Sequence, residues 1–133
     1  MIFVDASGFV ALYNQKDQNH ADAAKFWAHV ARGSDRVFTS SFVLDEMLTF
    51  LARRAGYEYA AAKGQSLYAS ARLMILRPAE KDELEALELF RKFADQKISF
   101  TDCISFVLMR HNRIKQAFTF DHHFRTAGFT CVP

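Results

Sequence analysis

The sequence predicts an α/β fold with a central, mostly parallel sheet of about five strands. Two observations favour this class. Short apolar segments alternate along the chain with longer segments that have helical patterning. Half of the 133 residues are hydrophobic and 14% are aromatic, which suits one domain, residues 1–133, with a substantial core. With five Gly and two Pro, the composition fits neither disorder nor a fibrous repeat.

Five apolar segments have the length of strands. In chain order they are Ile2–Val4, Arg36–Thr39, Leu73–Leu76, Ala117–Phe120 and Phe129–Val132. Longer patterned segments separate them, at residues 20–33, 42–56, 57–71, 80–94 and 101–112. Two of these helical segments lie between the second and third strands, and two more lie between the third and fourth strands.

Local signals mark the ends of these helices. The segment from residue 20 follows Asp17 and Asn19, either of which is a suitable N-cap. The segment 42–56 has Arg53 and Arg54 in its last turn and a glycine just past it, as helices commonly end. Gly64 interrupts the next segment, and the segment from residue 80 begins with acids after a proline.

The net charge, the two cysteines and the distribution of apolar residues limit the functions and locations that this protein can have. The net charge of +2 is too small by itself to indicate nucleic-acid binding. Cys103 and Cys131 stand in apolar surroundings without CxxC spacing, which favours reduced, buried thiols in a cytoplasmic protein. No segment has the length of a membrane span or the pattern of a signal peptide, so no membrane partner is expected.

Three acidic residues are expected at one edge of the sheet. Asp5 follows the first strand, and Asp121 follows the fourth. Asp102 opens the helix between those regions, and helix N-termini of parallel α/β units face the carboxyl ends of the strands. Ligands bind at that edge in such sheets, so these acids are candidate functional residues.

Glu46 is a fourth candidate. Of its neighbours three and four residues away on the helix, three are apolar, which predicts that Glu46 lies on or beside the buried face. A carboxylate there is costly unless it is paired or bound to a cation. The adjacent Asp45 has a more polar set of neighbours and is expected to be exposed.

Each of the other three acids also has a simple structural role open to it. Ser99 and Asp102 have the spacing of a capping box. Asp5 is a suitable N-cap for the short helix after it, and Asp121 is a suitable turn residue. The structural roles are less convincing when the four acids are taken together. Four carboxylates at one edge without an interleaved Lys or Arg would repel one another and raise each other's pKa.

A divalent cation would relieve this repulsion. Mg²⁺ and Mn²⁺ prefer carboxylate and water oxygens, so one or two such ions are expected among the four acids. Ser7, Thr101 and Thr119 stand near the acids and are candidates to orient waters or contact a phosphate. An acidic metal cluster in a mildly basic protein favours hydrolysis of a phosphodiester by a metal-activated water.

A basic stretch near the C-terminus is a candidate for holding flanking phosphates, although a solvated rim explains it equally well. Its members are Arg110, His111, Arg113, Lys115, His122, His123 and Arg125. The two histidines follow the fourth acid directly, which makes them candidates for contact with the phosphodiester substrate or with a metal.

Several motifs together resemble the PIN-domain family, and within it the VapC-type toxins of bacterial toxin–antitoxin pairs. They are "VDAS", "DQNHADAA", "TSSFVLDE", "DQKISFTDC" and "TFDHHF", in the order the family has them and over nearly the whole chain. The resemblance implies a three-layer α/β/α domain with a parallel sheet. It also implies a Mg²⁺- or Mn²⁺-dependent endoribonuclease whose acidic quartet falls on Asp5, Glu46, Asp102 and Asp121.

The resemblance further implies a cognate antitoxin and a homodimer, with the helices from about residue 41 to residue 71 at those surfaces. It gives Asp95 a structural or supporting role. Two alternatives remain open from the sequence. One is a PIN nuclease that acts in RNA processing or on structured DNA. The other is a PIN domain that has lost catalysis and serves as a scaffold, which four intact acids disfavour.

Overall fold

A five-stranded sheet, parallel throughout, forms the centre of the computed structural model, which describes all residues 1–133. The strand order is β3-β2-β1-β4-β5. The strands are β1 (Ile2–Val4), β2 (Val37–Ser40), β3 (Leu73–Leu76), β4 (Gln116–Phe118) and β5 (Thr130–Val132). The predicted α/β class and the number of strands are therefore confirmed.

Seven α-helices surround the sheet. They are α1 (Ala6–Tyr13), α2 (His20–Arg32), α3 (Ser41–Ala55), α4 (Tyr57–Ala69), α5 (Glu80–Lys92), α6 (Phe100–His111) and α7 (His123–Thr126), with a short 3-10 helix at Ala94–Gln96. None of them combines the length and the apolar character that crossing a bilayer requires.

Some predicted boundaries were wrong by a residue or two. The fourth strand was predicted to reach Phe120 but ends at Phe118, because the backbone N–H of Phe120 bonds to the Ser7 hydroxyl instead of to a strand. The fifth strand starts at Thr130 because the N–H of Phe129 bonds to the Phe124 carbonyl at 3.0 Å. The second strand starts at Val37 and extends to Ser40.

Gly64 does not interrupt α4. It is buried, and a Cβ atom at this position would lie 2.8 Å from a methyl carbon of Leu48 on α3. The glycine therefore serves the close packing of α3 against α4. Cys103 is buried as predicted, whereas the side chain of Cys131 is only partly buried, and both are free thiols.

Aromatic side chains fill the core on both sides of β4. Phe106 on α6 packs edge-on against Phe124, with ring centroids 5.0 Å apart. On the other side, α1 comes so close to β4 that a Cβ atom on Gly8 would lie 2.5 Å from the Phe118 carbonyl oxygen. This close approach brings the N-terminus of α1 beside the residues that follow β4.

Candidate active site

A cleft of about 400 Å³ lies at the carboxyl edge of the sheet. All four predicted acids line it: Asp5, Glu46, Asp102 and Asp121. They come from the end of β1, from α3, from the first turn of α6 and from the segment after β4. The topology thus brings together residues that are far apart along the chain.

Asp5 is the most deeply held of the four acids, with 3% of its surface exposed. Its Oδ2 accepts hydrogen bonds from the Ser7 hydroxyl at 2.9 Å and from the Thr119 hydroxyl at 3.0 Å. The same oxygen accepts the Ser7 backbone N–H at 3.3 Å, so Asp5 does cap α1. Its Oδ1 is buried and has no hydrogen-bond partner. Burial raises the pKa of Asp5, and the bonds from Ser7 and Thr119 oppose that rise.

Ser7 and Thr119 also fix the backbone after β4. Their hydroxyl oxygens are 3.0 Å apart. The N–H of Phe120 donates to Ser7 Oγ and the N–H of Asp121 donates to Thr119 Oγ1, each at 3.0 Å. The two hydroxyl groups therefore set the position of Asp121 relative to Asp5. This places both of these predicted supporting residues in the site.

Asp102 forms half of the predicted capping box. Its backbone N–H donates to the Ser99 hydroxyl at 3.1 Å, but its own carboxylate does not bond back to Ser99. The carboxylate faces the cleft, and only 5% of the residue is exposed. Burial, followed by repulsion from Asp5 and Asp121, raises the pKa of Asp102 to about 9.

Glu46 corrects one sequence prediction. It lies beside the buried face of α3, as one form of the prediction had it, but not on that face, which Val43, Met47 and Leu51 form, and the residue is exposed. Glu46 lies on the flank of the helix that borders the cleft. Desolvation raises its pKa, and the charges of Asp5 and Asp121 add to that rise. Its neighbour Asp45 is exposed as predicted and does not line the cleft.

Asp121 has its predicted turn role as well as its place in the cleft. Its Oδ1 accepts the backbone N–H of His123 at 2.9 Å, and His123 Nδ1 lies 2.9 Å from the same oxygen. The ring centroids of His122 and His123 are 4.3 Å apart. Asp121, His122 and His123 each offer a ligand atom within 4.8 Å of the others, so these histidines are additional candidate metal ligands.

The other predicted supporting residues lie away from the cleft. Thr101 does not line it, and its side chain makes no hydrogen bond within the protein. Asp95 is exposed on the 3-10 helix and also makes no side-chain hydrogen bond. Among the basic stretch, only His123 lines the cleft.

The remaining members of the basic stretch are exposed and have other neighbours. Lys115 precedes β4 and Arg113 lies in the turn before it, at the opposite edge of the sheet from the cleft. Arg110 donates to the Ala127 carbonyl at 3.3 Å. Arg125 is exposed on α7. Their predicted contact with flanking phosphates stays a prediction.

A lysine and two aromatic residues of the cleft lining were not singled out from the sequence. Lys97 lines the cleft, and its backbone is in the left-handed helical conformation, with a φ angle of 55°. Phe50 and Phe120 supply aromatic surface there. Phe50 stands four residues after Glu46, one helical turn on, and this spacing was the available signal.

The residues present suit a divalent cation. The cleft offers carboxylate oxygens from four chain segments, which are the ligands that Mg²⁺ and Mn²⁺ prefer. Asp5 Oδ1 is a buried acceptor without a donor, which is costly unless a cation or water meets it. Burial is the main cause of the raised pKa values of Asp5, Glu46 and Asp102, and repulsion from neighbouring carboxylates adds to the rise at Glu46 and Asp102.

Comparison with known proteins identifies the family of this chain. The PIN domain matches residues 2–130. The chain belongs to the PIN domain family. One relative of this chain is the 23S rRNA-specific endonuclease VapC20 of Mycobacterium tuberculosis. It is 36% identical over 132 residues, which cover 99% of this chain and 98% of that protein.

Solved structures agree with the PIN assignment. Mycobacterium tuberculosis VapC20, a sarcin–ricin loop cleaving toxin, matches with a TM-score of 0.90 and 34% identity, over 98% of this chain and 97% of that one. VapBC2 from Rickettsia felis, solved with a promoter DNA fragment, matches with a TM-score of 0.71 and 16% identity over the same shares. The second likeness concerns the fold alone. The predicted PIN-like α/β/α fold and the resemblance to VapC-type proteins are confirmed.

Proposed function

We propose that this protein is a Mg²⁺- or Mn²⁺-dependent endoribonuclease and the toxin of a VapC-type toxin–antitoxin pair. The observation that carries the proposal is the cleft in which four carboxylates meet around a buried Asp5 oxygen that has no hydrogen-bond partner. Such a cluster is unfavourable by itself and becomes favourable when cations neutralise it.

Each acid has a distinct part in holding one or two ions. Asp5 is rigid, because three hydrogen bonds fix its Oδ2 and leave Oδ1 for a ligand. Asp102 is held by the capped first turn of α6, and Asp121 by the turn that His123 closes. Glu46 is exposed and free to adjust its position at the rim. Three fixed ligands and one adaptable ligand suit a cation that must also accept a substrate.

The bound ions would supply Lewis acidity toward a phosphodiester oxygen and a nucleophilic water at neutral pH. The protein supplies the geometry. Ser7 and Thr119 keep Asp5 and Asp121 at a fixed separation. The neutralised cleft can then accept an anionic phosphate that four free carboxylates would repel.

We propose the sarcin–ricin loop of 23S rRNA as the first substrate to test. The support is the VapC20 relative, which aligns with this chain over 98% of its length at 36% identity and whose structure matches with a TM-score of 0.90. We propose further that a cognate antitoxin neutralises the protein and that it forms a homodimer.

The test is cleavage of 23S rRNA by the purified protein. Ribosomes are incubated with the wild type or with Asp5→Asn, in Mn²⁺, Mg²⁺ or EDTA, and the 23S rRNA ends are mapped by primer extension. One new end in the sarcin–ricin loop is expected for the wild type with either metal and none in the other arms. Equal cleavage by Asp5→Asn, or cleavage in EDTA, would contradict the proposal. Growth arrest on induction that the neighbouring small gene relieves would test the toxin assignment.

A further inference from the structure

A second cleft of about 470 Å³ lies beside the N-terminal part of the chain and the end of α3. Tyr13, Lys16, Arg54 and Tyr59 are among its lining residues. It differs from the acidic cleft in chemistry, because two cations and two tyrosine rings line it and no carboxylate does.

The helix α3 connects the two clefts. Glu46, Phe50 and Arg54 are spaced four residues apart and so lie on one face of the helix. Glu46 and Phe50 line the acidic cleft, and Arg54 lines the second one. The Arg54 guanidinium carbon lies 4.7 Å from the centroid of the Phe50 ring, so the two clefts adjoin at this pair.

The cations of this region are not neutralised within the protein. Neither Lys16 nor Arg54 forms an ion pair with a carboxylate. Both side chains are exposed, as is 41% of Phe50. Unpaired cations beside an exposed aromatic ring are the combination that single-stranded nucleic acid contacts through its phosphates and bases.

The tyrosine side of the second cleft is held in place. The Tyr59 hydroxyl donates to the Tyr13 carbonyl oxygen at 2.6 Å. The Lys63 ammonium lies 5.3 Å from the centroids of both tyrosine rings. These contacts join α1 to α4, so the cleft wall is formed before any ligand arrives.

We propose that the second cleft is a nucleotide subsite for the single-stranded RNA segment next to the scissile phosphodiester, an inference that rests on the proposed ribonuclease function. In this arrangement Lys16 and Arg54 contact the phosphates of the RNA segment that extends from the acidic cleft into the second cleft. A base stacks against the pair formed by Phe50 and Arg54. The subsite binds RNA without reading base edges, since its contacts are to phosphates and ring faces.

The test uses a matched pair of neighbouring arginines. Arg53 and Arg54 share the last turn of α3, but only Arg54 lines the second cleft. We would measure fluorescence anisotropy of a labelled twelve-nucleotide single-stranded RNA with the full-length protein in Ca²⁺, a cation that carboxylates bind and that neutralises the acidic cleft. A denaturing gel of each sample checks that the RNA stays intact. The variants are Lys16→Gln, Arg54→Gln, both together, and Arg53→Gln as the control.

We expect each cleft variant to bind RNA roughly fivefold more weakly and to lower the slope of log K against log salt by about 0.7. Arg53→Gln should bind within about twofold of the wild type, because it contacts no bound phosphate. In cleavage assays with Mn²⁺, the cleft variants should raise KM and leave kcat unchanged, since the subsite binds ground state and transition state alike.

Three results would overturn the proposal. They are wild-type binding that is undetectable at low salt, a double variant that binds as well as the wild type, and a loss in Arg53→Gln equal to that in Arg54→Gln. Intact RNA binding with lost binding of a glutamate-rich peptide would assign the surface to an acidic protein segment instead. If the wild type cleaves no RNA, the proposed function fails, while the anisotropy measurement still tests the subsite by itself.

Discussion

Replacing Asp102 with asparagine should stabilise the metal-free protein. Asp102 is buried beside Asp5 and Asp121, and these neighbours help raise its pKa to about 9 from an ordinary value of 3.8. The pKa of Asp102 is higher in the folded protein than in the unfolded chain. Its contribution to the free energy of unfolding is therefore fully present below pH 4 and is lost progressively as the pH rises toward 9. An asparagine side chain at this position would be neutral at every pH and would escape this loss.

The size of the stability gain in Asp102→Asn follows from the shift in the pKa of Asp102. Each pH unit above 3.8 costs the wild type about 1.4 kcal/mol, which reaches about 4 kcal/mol at pH 7. Asp102 is only 5% exposed, so solvent screens little of this cost. Part of the repulsion will be shared with the remaining acids. We therefore expect Asp102→Asn to gain about 2 to 4 kcal/mol at pH 7 and close to nothing at pH 4.

Urea denaturation in EDTA at several pH values between 4 and 8 measures this gain. Asp95→Asn is the control, since it removes the same charge from an exposed position and should change stability by less than about 0.5 kcal/mol. A variant that is less stable than the wild type at pH 7, or a gain that does not grow with pH, would refute the reasoning.

Three further predictions concern the same site. Asp5→Asn should lower kcat/KM for 23S rRNA at least about 100-fold while circular dichroism stays unchanged, because the rigid ligand is lost; cleavage near the wild-type rate would count against it. Millimolar Mn²⁺ should raise the Tm of the wild type more at pH 8 than at pH 5, because protonated acids compete with the metal, and an equal rise at both would contradict this. Gly8→Ala should cost about 1 to 3 kcal/mol and reduce cleavage, because its Cβ would lie 2.5 Å from the Phe118 carbonyl oxygen. Gly33→Ala, whose nearest contact is 3.5 Å, is the matched control, and equal urea midpoints for both variants would exclude this explanation.

The sheet edge was the part of the site most open to prediction. Asp5 and Asp121 follow strands, and the rule that parallel strands end at one edge brings them together without knowledge of side-chain contacts. The capping roles of Asp5 and of Ser99 toward Asp102 were also readable, because they depend on local spacing.

The features of the site that could not be predicted from the sequence are those that depend on tertiary contacts. Glu46 was expected near the buried face, but helical spacing alone does not tell a flank that borders a cleft from one that borders the core. The end of β4 was missed because Ser7, more than a hundred residues away, accepts the backbone N–H of Phe120. The second cleft joins α1 to α4, so no single segment shows it.

The direct measurement of the central claim is anomalous diffraction from crystals soaked in Mn²⁺. The account predicts an anomalous peak within coordination distance of Asp5 Oδ1, with Asp102 and Asp121 as further ligands, and its loss in Asp5→Asn crystals. A peak held by Asp121, His122 and His123 away from Asp5, or no peak in the cleft at all, would contradict it.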